Sequence, residues 1–247
     1  MKKIVLRMDD VGASSKKYEV YSKLLFGNFL FLKYIPPFKA MGPYKELTVN
    51  DWDEILAILD NFNSKITIGL TAGWVDEKNE IIPFNEKYPM QAKKILEGVN
   101  NNLLEVANHG LTHCIVGKHL PRAFSSNRNY HREFWDFLEQ DVHETHIIKS
   151  QKILEDWLGE KIVSFIPPGN VYSPKTVKSI MKTNITIINS SQKVTTDFGH
   201  LKYIDEKHIF PFHDKDLVLH GCSWLKNTIL NIIEKNEQIN FLRLKDL

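Results

Sequence analysis

The chain has 247 residues and is nearly charge-balanced, with 32 Lys and Arg against 30 Asp and Glu. Hydrophobic residues make up 43% and charged residues 25%, which excludes a disordered, collagen-like or coiled-coil chain. It also excludes a nucleic-acid binder that works through a strongly basic surface. Two cysteines, Cys114 and Cys222, exclude a disulfide scaffold and read as small buried thiols.

The first residues, MKKIVLRMDDVG, hold too short an apolar run for an export signal. The run Leu24 to Leu32, broken by Gly27 and Asn28, falls far below the ~20 apolar residues of a membrane span. The expected compartment is therefore the cytoplasm.

Short apolar runs alternate with longer amphipathic stretches, which predicts βα units and a mainly parallel sheet. Lys3 to Met8 reads as the first strand. Segment 12–50 is an inserted connection rich in aromatics, among them Tyr18, Phe29, Phe31 and Tyr44. It reads as a packed helical insertion or as a platform for a substrate or lipid carrier, with peripheral membrane contact as a weaker implication. Residues 51–62 carry Trp52, Ile55, Leu56 and Leu59 at helical spacing. A strand at 65–70, a helix at 89–99 and a strand at 103–107 follow. The spacing predicts a long helix over 131–158, stopped by Gly159. Strands are then expected at 161–166, 184–189 and 217–220, and a closing helix at 226–235.

Three features carry chemistry. Asp9 and Asp10 end the first strand, where two adjacent carboxylates are costly unless a cation or hydrogen bonds satisfy them. Successive strand residues face opposite sides, so the two acids can take different tasks. His109 and His113 end another strand, and a pair four apart can converge on one metal from a helical turn. With a strand-end aspartate they compose a two-His, one-carboxylate site that leaves positions open for water and substrate. His220 ends the run Leu217-Val218-Leu219, which suits a general acid at a barrel rim. Each of these residues also admits a plain structural role. His131, His143 and His146, on or near the long helix, read as structural; His213 lies near the last strand and could reach the rim.

From Met1 to about Trp224, the sequence resembles the polysaccharide deacetylase family, the NodB-homology domain of carbohydrate esterase family 4. Arg7-Met8-Asp9-Asp10-Val11-Gly12 is similar to the family's first motif, and Glu105 to His113 to its histidine motif. Phe165-Ile166-Pro167-Pro168-Gly169-Asn170 is similar to the third motif, and Leu217 to His220 to the last. The resemblance implies a deformed (β/α) barrel, in one domain over 1–247, with its site at the C-terminal strand ends. It implies a divalent metal, zinc in the first instance, on Asp10, His109 and His113. Asp9 would be the general base and His220 the general acid. Pro168, Gly169 and Asn170 would line the site and supply an oxyanion N–H, with Trp224 or Trp74 as a sugar wall or as core aromatics. Two departures stand out. Ile166 replaces the third motif's arginine, which removes a positive charge beside Asp9; Arg7 and Arg122 are the alternatives. No counterpart of the family's Asp-Trp motif follows residues 184–189.

The expected activity is metal-dependent hydrolysis of an N-acyl group, foremost acetyl, from an amino sugar. The substrate would be nucleotide-linked, lipid-linked or an oligosaccharide, as a cytoplasmic precursor of a surface polysaccharide. The rivals are hydrolysis of a non-sugar amide, and a metal- or sugar-binding barrel without turnover. Neither the sugar nor the oligomeric state is legible.

Overall fold

A computed structural model describes residues 2–17, 29, 31–32, 35, 45–117, 132–236 and 238–247. Most of segment 18–44 lies outside the described residues, as do His119, Arg122 and His131.

Strand β1 (Lys2–Val11) is buried from Ile4 onward. Alternate residues serve opposite faces, as the pleat demands. Ile4, Leu6 and Met8 join the large core between sheet and helices, while Val5 joins an inner cluster with Ala107, Ile166, Ile187 and Ile209. Helix α1 (Val49–Asn61) starts at a capping box: Thr48 Oγ1 accepts from the Asp51 N–H, and Asp51 Oδ2 accepts from the Thr48 N–H. Its face of Trp52, Ile55, Leu56 and Leu59 is buried, each side chain contributing about 1.5–3 kcal/mol.

Strand β2 (Ile66–Leu70) pairs with β1, and a small antiparallel pair, β3 (Gly73–Val75) and β4 (Ile81–Pro83), follows. Helices α2 (Phe84–Lys87) and α3 (Pro89–Asn100) lead to β5 (Leu104–Asn108). Helix α4 (Gln140–Leu158) ends at the left-handed Gly159. Then come β6 (Ser164–Phe165), α5 (Pro174–Ile180), β7 (Ile187–Asn189), β8 (Lys202–Ile204) and β9 (Ile209–His213). Helices α6 (Asp214–His220) and α7 (Ser223–Glu234) and strand β10 (Ile239–Leu242) complete the chain.

The large sheet runs β10-β1-β2-β5-β6-β7-β8, with β9 returning to β1, and every ladder in it is parallel. The sheet thus curls into the deformed (β/α) barrel expected from the sequence. All strands point their C-terminal ends the same way, which gathers Asp9, Asn108, Asn189 and His213 at one rim.

Two expected elements are corrected. Residues 217–220 are the last turn of α6, not a strand. Leu217 is buried but Leu219 is 57% exposed, so the short apolar run is amphipathic at helical spacing. The late strand is β9, whose Pro211 hides it from a sequence reading because proline cannot donate to a ladder. The long helix also starts at Gln140 rather than 131. Phe134 is fully buried, but in a non-helical approach that carries Arg132 and Glu133 back to the rim.

Candidate active site

The β1–β2 register shifts between Met8 and Val11, and Asp10 sits at a φ of 69°. A left-handed conformation is costly for a residue with a Cβ and is held only where the surroundings impose it. The bulge breaks the strict alternation expected of Asp9 and Asp10 and lets both carboxylates serve the same rim.

His109 and His113 do not lie on a helical turn; they sit in an irregular loop after β5. Their ring centroids are 5.2 Å apart. His109 Nδ1 lies 2.7 Å from the Ile166 carbonyl oxygen, which can only accept, so Nδ1 carries the proton. Ser15 Oγ lies 2.7 Å from His113 Nδ1. The two Nε2 atoms then face one oxygen: Asp10 Oδ1 is 3.2 Å from His109 Nε2 and 3.0 Å from His113 Nε2. Gly69 permits this packing, because a Cβ there would stand 3.2 Å from Asp9 Oδ1 and 3.3 Å from the His109 ring.

Glu133 holds the histidine loop in shape. Its carboxylate accepts from the backbone N–H groups of Leu111 and Thr112, both at 2.7 Å, and from Thr112 Oγ1 at 2.9 Å. Gly110 is required here: its φ is 82°, and a Cβ would meet Glu133 Oε1 at 2.0 Å. Burial opposes the Glu133 charge, but His146 and the two N–H groups outweigh it and hold the carboxyl below its ordinary pKa. A depressed folded pKa adds stability above the ordinary glutamate range, and that stability is lost as pH falls through the folded value. Glu133→Gln is expected to cost about 1.5–3 kcal/mol at neutral pH. The difference should narrow in acid, as pH falls through the lowered folded value and the wild-type brace is itself protonated. Urea unfolding at neutral and at acid pH checks this; an equal cost at both would show that the charge is irrelevant.

Arg7 is the cation beside Asp9. It is 2% exposed, and its Nη2 and Nε donate to Asp9 Oδ2 at 2.8 and 3.2 Å. Its Nη1 donates to Asn189 Oδ1 at 2.6 Å, and Nη2 lies 3.2 Å from Glu206. Asp9 Oδ1, by contrast, is buried with no hydrogen-bond partner among the described residues.

A second buried charge group borders the site. Lys16, in the 3-10 turn Ser14–Lys17, contacts Asp214 and lies 3.8 Å from Glu46. Burial works against its charge, but Asp214, Glu46 and Asp10 outweigh burial and push its pKa up. Asp10 is likewise buried against its charge, yet His113 and His109 hold its pKa well below the ordinary value. Arg132 Nη1 lies 2.9 Å from His113 Nδ1.

The remaining sequence candidates divide. Pro168–Asn170 form a 3-10 turn beside the histidine loop, with the Gly169 backbone against the Arg132 guanidinium. The Asn170 side chain accepts from Ser190 Oγ and the Ser191 N–H, in the segment that follows Asn189. Two expectations are corrected. His220 is exposed at the end of α6, off the rim, because the strand expected there is a helix. His213 instead ends β9 opposite Asp9, with its Nδ1 3.9 Å from Asp216. Trp224 packs on Phe212, ring centroids 5.4 Å apart, at the large core between sheet and helices rather than at the site. Trp74 is buried under Lys17 and Lys87, with Tyr88 at its edge. Cys114 and Cys222 are buried and in no disulfide.

Sequence reasoning missed Ser15, Arg132, Glu133 and Asn189. None carries a motif; Arg132, Glu133 and Asn189 reach the rim from distant stretches of chain, and Ser15 from the turn after β1. Lys16 and Asp214 were missed for the same reason.

The family described as Polysaccharide deacetylase matches residues 42–188. The chain belongs to the polysaccharide deacetylase family. No curated protein matches. Among solved structures, a polysaccharide deacetylase described as putative, from Mycobacterium smegmatis, is similar at 14% identity and TM-score 0.56, covering 99% of this chain and 87% of that one. A family 4 acetyl xylan esterase from Clostridium thermocellum, in complex with a cobalt ion, is similar at 13% identity and TM-score 0.54, covering 99% and 89%. A CE4 family pseudoenzyme from Bacillus anthracis is similar at 14% identity and TM-score 0.55; this chain is covered fully and spans 65% of that one. At these identities the structures speak for the fold. In this family member, Asp10, His109 and His113 are the one group among the described residues whose ligand atoms, all within 4.8 Å of one another, could hold a metal ion. No described helix is long and apolar enough to cross a membrane.

Proposed function

We propose that the protein is a metal-dependent N-deacylase that removes an acetyl group from an amino sugar. One observation carries the reading. With the His109 Nδ1 proton committed to Ile166, a neutral His109 turns a lone pair at Nε2 toward an Asp10 oxygen 3.2 Å away. The ligand atoms of Asp10, His109 and His113 all lie within 4.8 Å of one another, so one cation between them can draw on all three. Two imidazoles and one carboxylate suit zinc or a similar divalent ion and leave positions open.

A cation held there supplies Lewis acidity toward the acyl carbonyl and lowers the pKa of water. The chain's own residues do the rest. Asp9 Oδ1 takes the proton of the attacking water, while Arg7 keeps Oδ2 occupied and the carboxylate aligned. The Gly169 N–H donates to the carbonyl oxygen as it gains charge. His213, at the end of β9 opposite Asp9, protonates the leaving amine in the role the sequence assigned to His220. Arg7 at Asp9 also favours an enzyme over a non-catalytic barrel, since the charge missing at Ile166 is supplied from β1.

Elemental analysis of the purified protein should find about one divalent ion per chain, lost in the Asp10→Ala, His109→Ala, His113→Ala variant. Amine release should then be assayed on acetylated nucleotide-linked sugars, lipid-linked sugars and oligosaccharides. His213→Gln is expected to lower turnover about 10²-fold or more, and His220→Gln to leave it unchanged. A wild-type protein that neither contains nor takes up metal would overturn the reading, as would the reverse order of the two histidines for the acid assignment.

A further inference from the structure

The far end of the barrel holds a cleft of about 500 Å³ that the deacylation chemistry does not use. It opens where β1 begins, between the β8–β9 turn and α7. Thr228, Asn231, Ile232 and Lys235 line it from α7 at i, i+3, i+4 and i+7, a single helix face. Ile4, Phe210 and Ile232, which share the sheet-to-helix side, give it an apolar floor.

The wall is charged with one sign. Lys2, Lys3, Lys207 and Lys235 line the cleft, with His208 among them, and none of its lining residues is acidic. In a chain of net charge +2, this is a local excess. No ion pair engages these four lysines among the described residues. The acids of the neighbouring turn are otherwise engaged: Glu206 lies 3.2 Å from Arg7, and Asp205 accepts the Lys207 backbone N–H. A lining that carries positive charge and no acid favours a multiply charged anion. The size is that of a small-molecule site, with an apolar floor and a few convergent polar groups.

We infer that this cleft is a second ligand site, for a phosphate or diphosphate ester whose anionic group meets the lysines and whose organic body covers the apolar floor. It lies at the strand ends opposite the metal-ligand cluster, so it is distinct from the deacylation site and stands whether or not that reading holds. Lysine suits the phosphate as a mobile point charge rather than as a rigid fork. Asn231, Asn236 and Thr228 add hydrogen-bonding groups at the same wall.

The test is calorimetric titration of the full chain at low salt with inorganic diphosphate, adenosine diphosphate and geranyl diphosphate. Thermal melts of the same mixtures run alongside. Binding with a Kd below about 1 mM and a raised melting temperature is expected for at least one ester. Tighter binding of the adenosine compound indicates a nucleotide source, and tighter binding of the geranyl compound an isoprenoid carrier. Lys3→Gln/Lys207→Gln/Lys235→Gln should weaken binding at least tenfold. These side chains are exposed, so the fold should survive; Lys207→Gln alone serves as a milder version. A control, Lys93→Gln/Lys149→Gln/Lys226→Gln, makes the same charge change elsewhere and should leave the affinity unchanged. Three results overturn the inference: no binding of any probe at about 5 mM, full-strength binding in the cleft variant, or equal weakening in the control.

Discussion

Asp9→Asn is expected to lower turnover about 10²–10⁴-fold while leaving the metal content of the protein unchanged. The two oxygens of Asp9 are in different situations. Oδ2 accepts two hydrogen bonds from Arg7, whereas Oδ1 is buried without a partner among the described residues. A buried carboxylate oxygen left without a partner is costly, and such an arrangement persists where a reacting proton is to be received. The asparagine has nearly the same shape and can keep its carbonyl toward Arg7, but it cannot take a proton. Steady-state rates beside elemental analysis decide the matter. A variant within tenfold of wild type would remove Asp9 from the role of base, and a loss of metal with the activity would assign it a ligand role instead.

Arg7→Met is expected to act on both rate and stability. Removing one partner from a buried ion pair leaves the other charge uncompensated and costs about 3–5 kcal/mol. Here Asp9 and Glu206 both lose a cation, and Asn189 Oδ1 loses a donor. The rate should fall about 10²-fold, because a carboxylate freed to turn no longer presents Oδ1 in one place. Arg7→Lys separates charge from geometry. An ammonium keeps the positive charge but cannot hold Asp9 and Asn189 at once with a planar fork, so stability should recover more than rate. Equal recovery of both would mean that Arg7 acts by charge alone. Unchanged kcat in Arg7→Met, with only the melting temperature lowered, would make it a structural residue.

The sequence makes much of the barrel legible because its βα periodicity is strong. Trp52, Ile55, Leu56 and Leu59 mark α1, and Pro89 with Ile95 marks α3; these are local patterns with a long enough repeat to read. Strand β6 spans only Ser164–Phe165 and β9 contains Pro211, so both carry weak local signals. The 217–220 error follows from the same limit. An apolar tetrapeptide ending in histidine is compatible with a strand or with a helix turn, and only the exposed Leu219 and half-buried Val218 decide it. That choice in turn moved the general-acid assignment by seven residues, from His220 to His213.

Asp9 and Asp10 are adjacent and His109 and His113 four apart, so each pair is local in sequence, and their residue types are those of metal ligands and proton acceptors. Length, charge balance and cysteine count set the class of molecule, because they depend on nothing but composition. What the residues are able to do, coordinate and accept protons, was therefore written in the chain. Which group serves each of them was not. Glu133 braces the histidine loop from 21 residues beyond Thr112, and Asn189 holds Arg7 from 182 residues away. Those contacts exist only once the parallel sheet has curled and brought its C-terminal strand ends to one rim. Hydrogen bonds and buried ion pairs depend on distance and desolvation rather than on sequence separation, so only the tertiary structure could assign them.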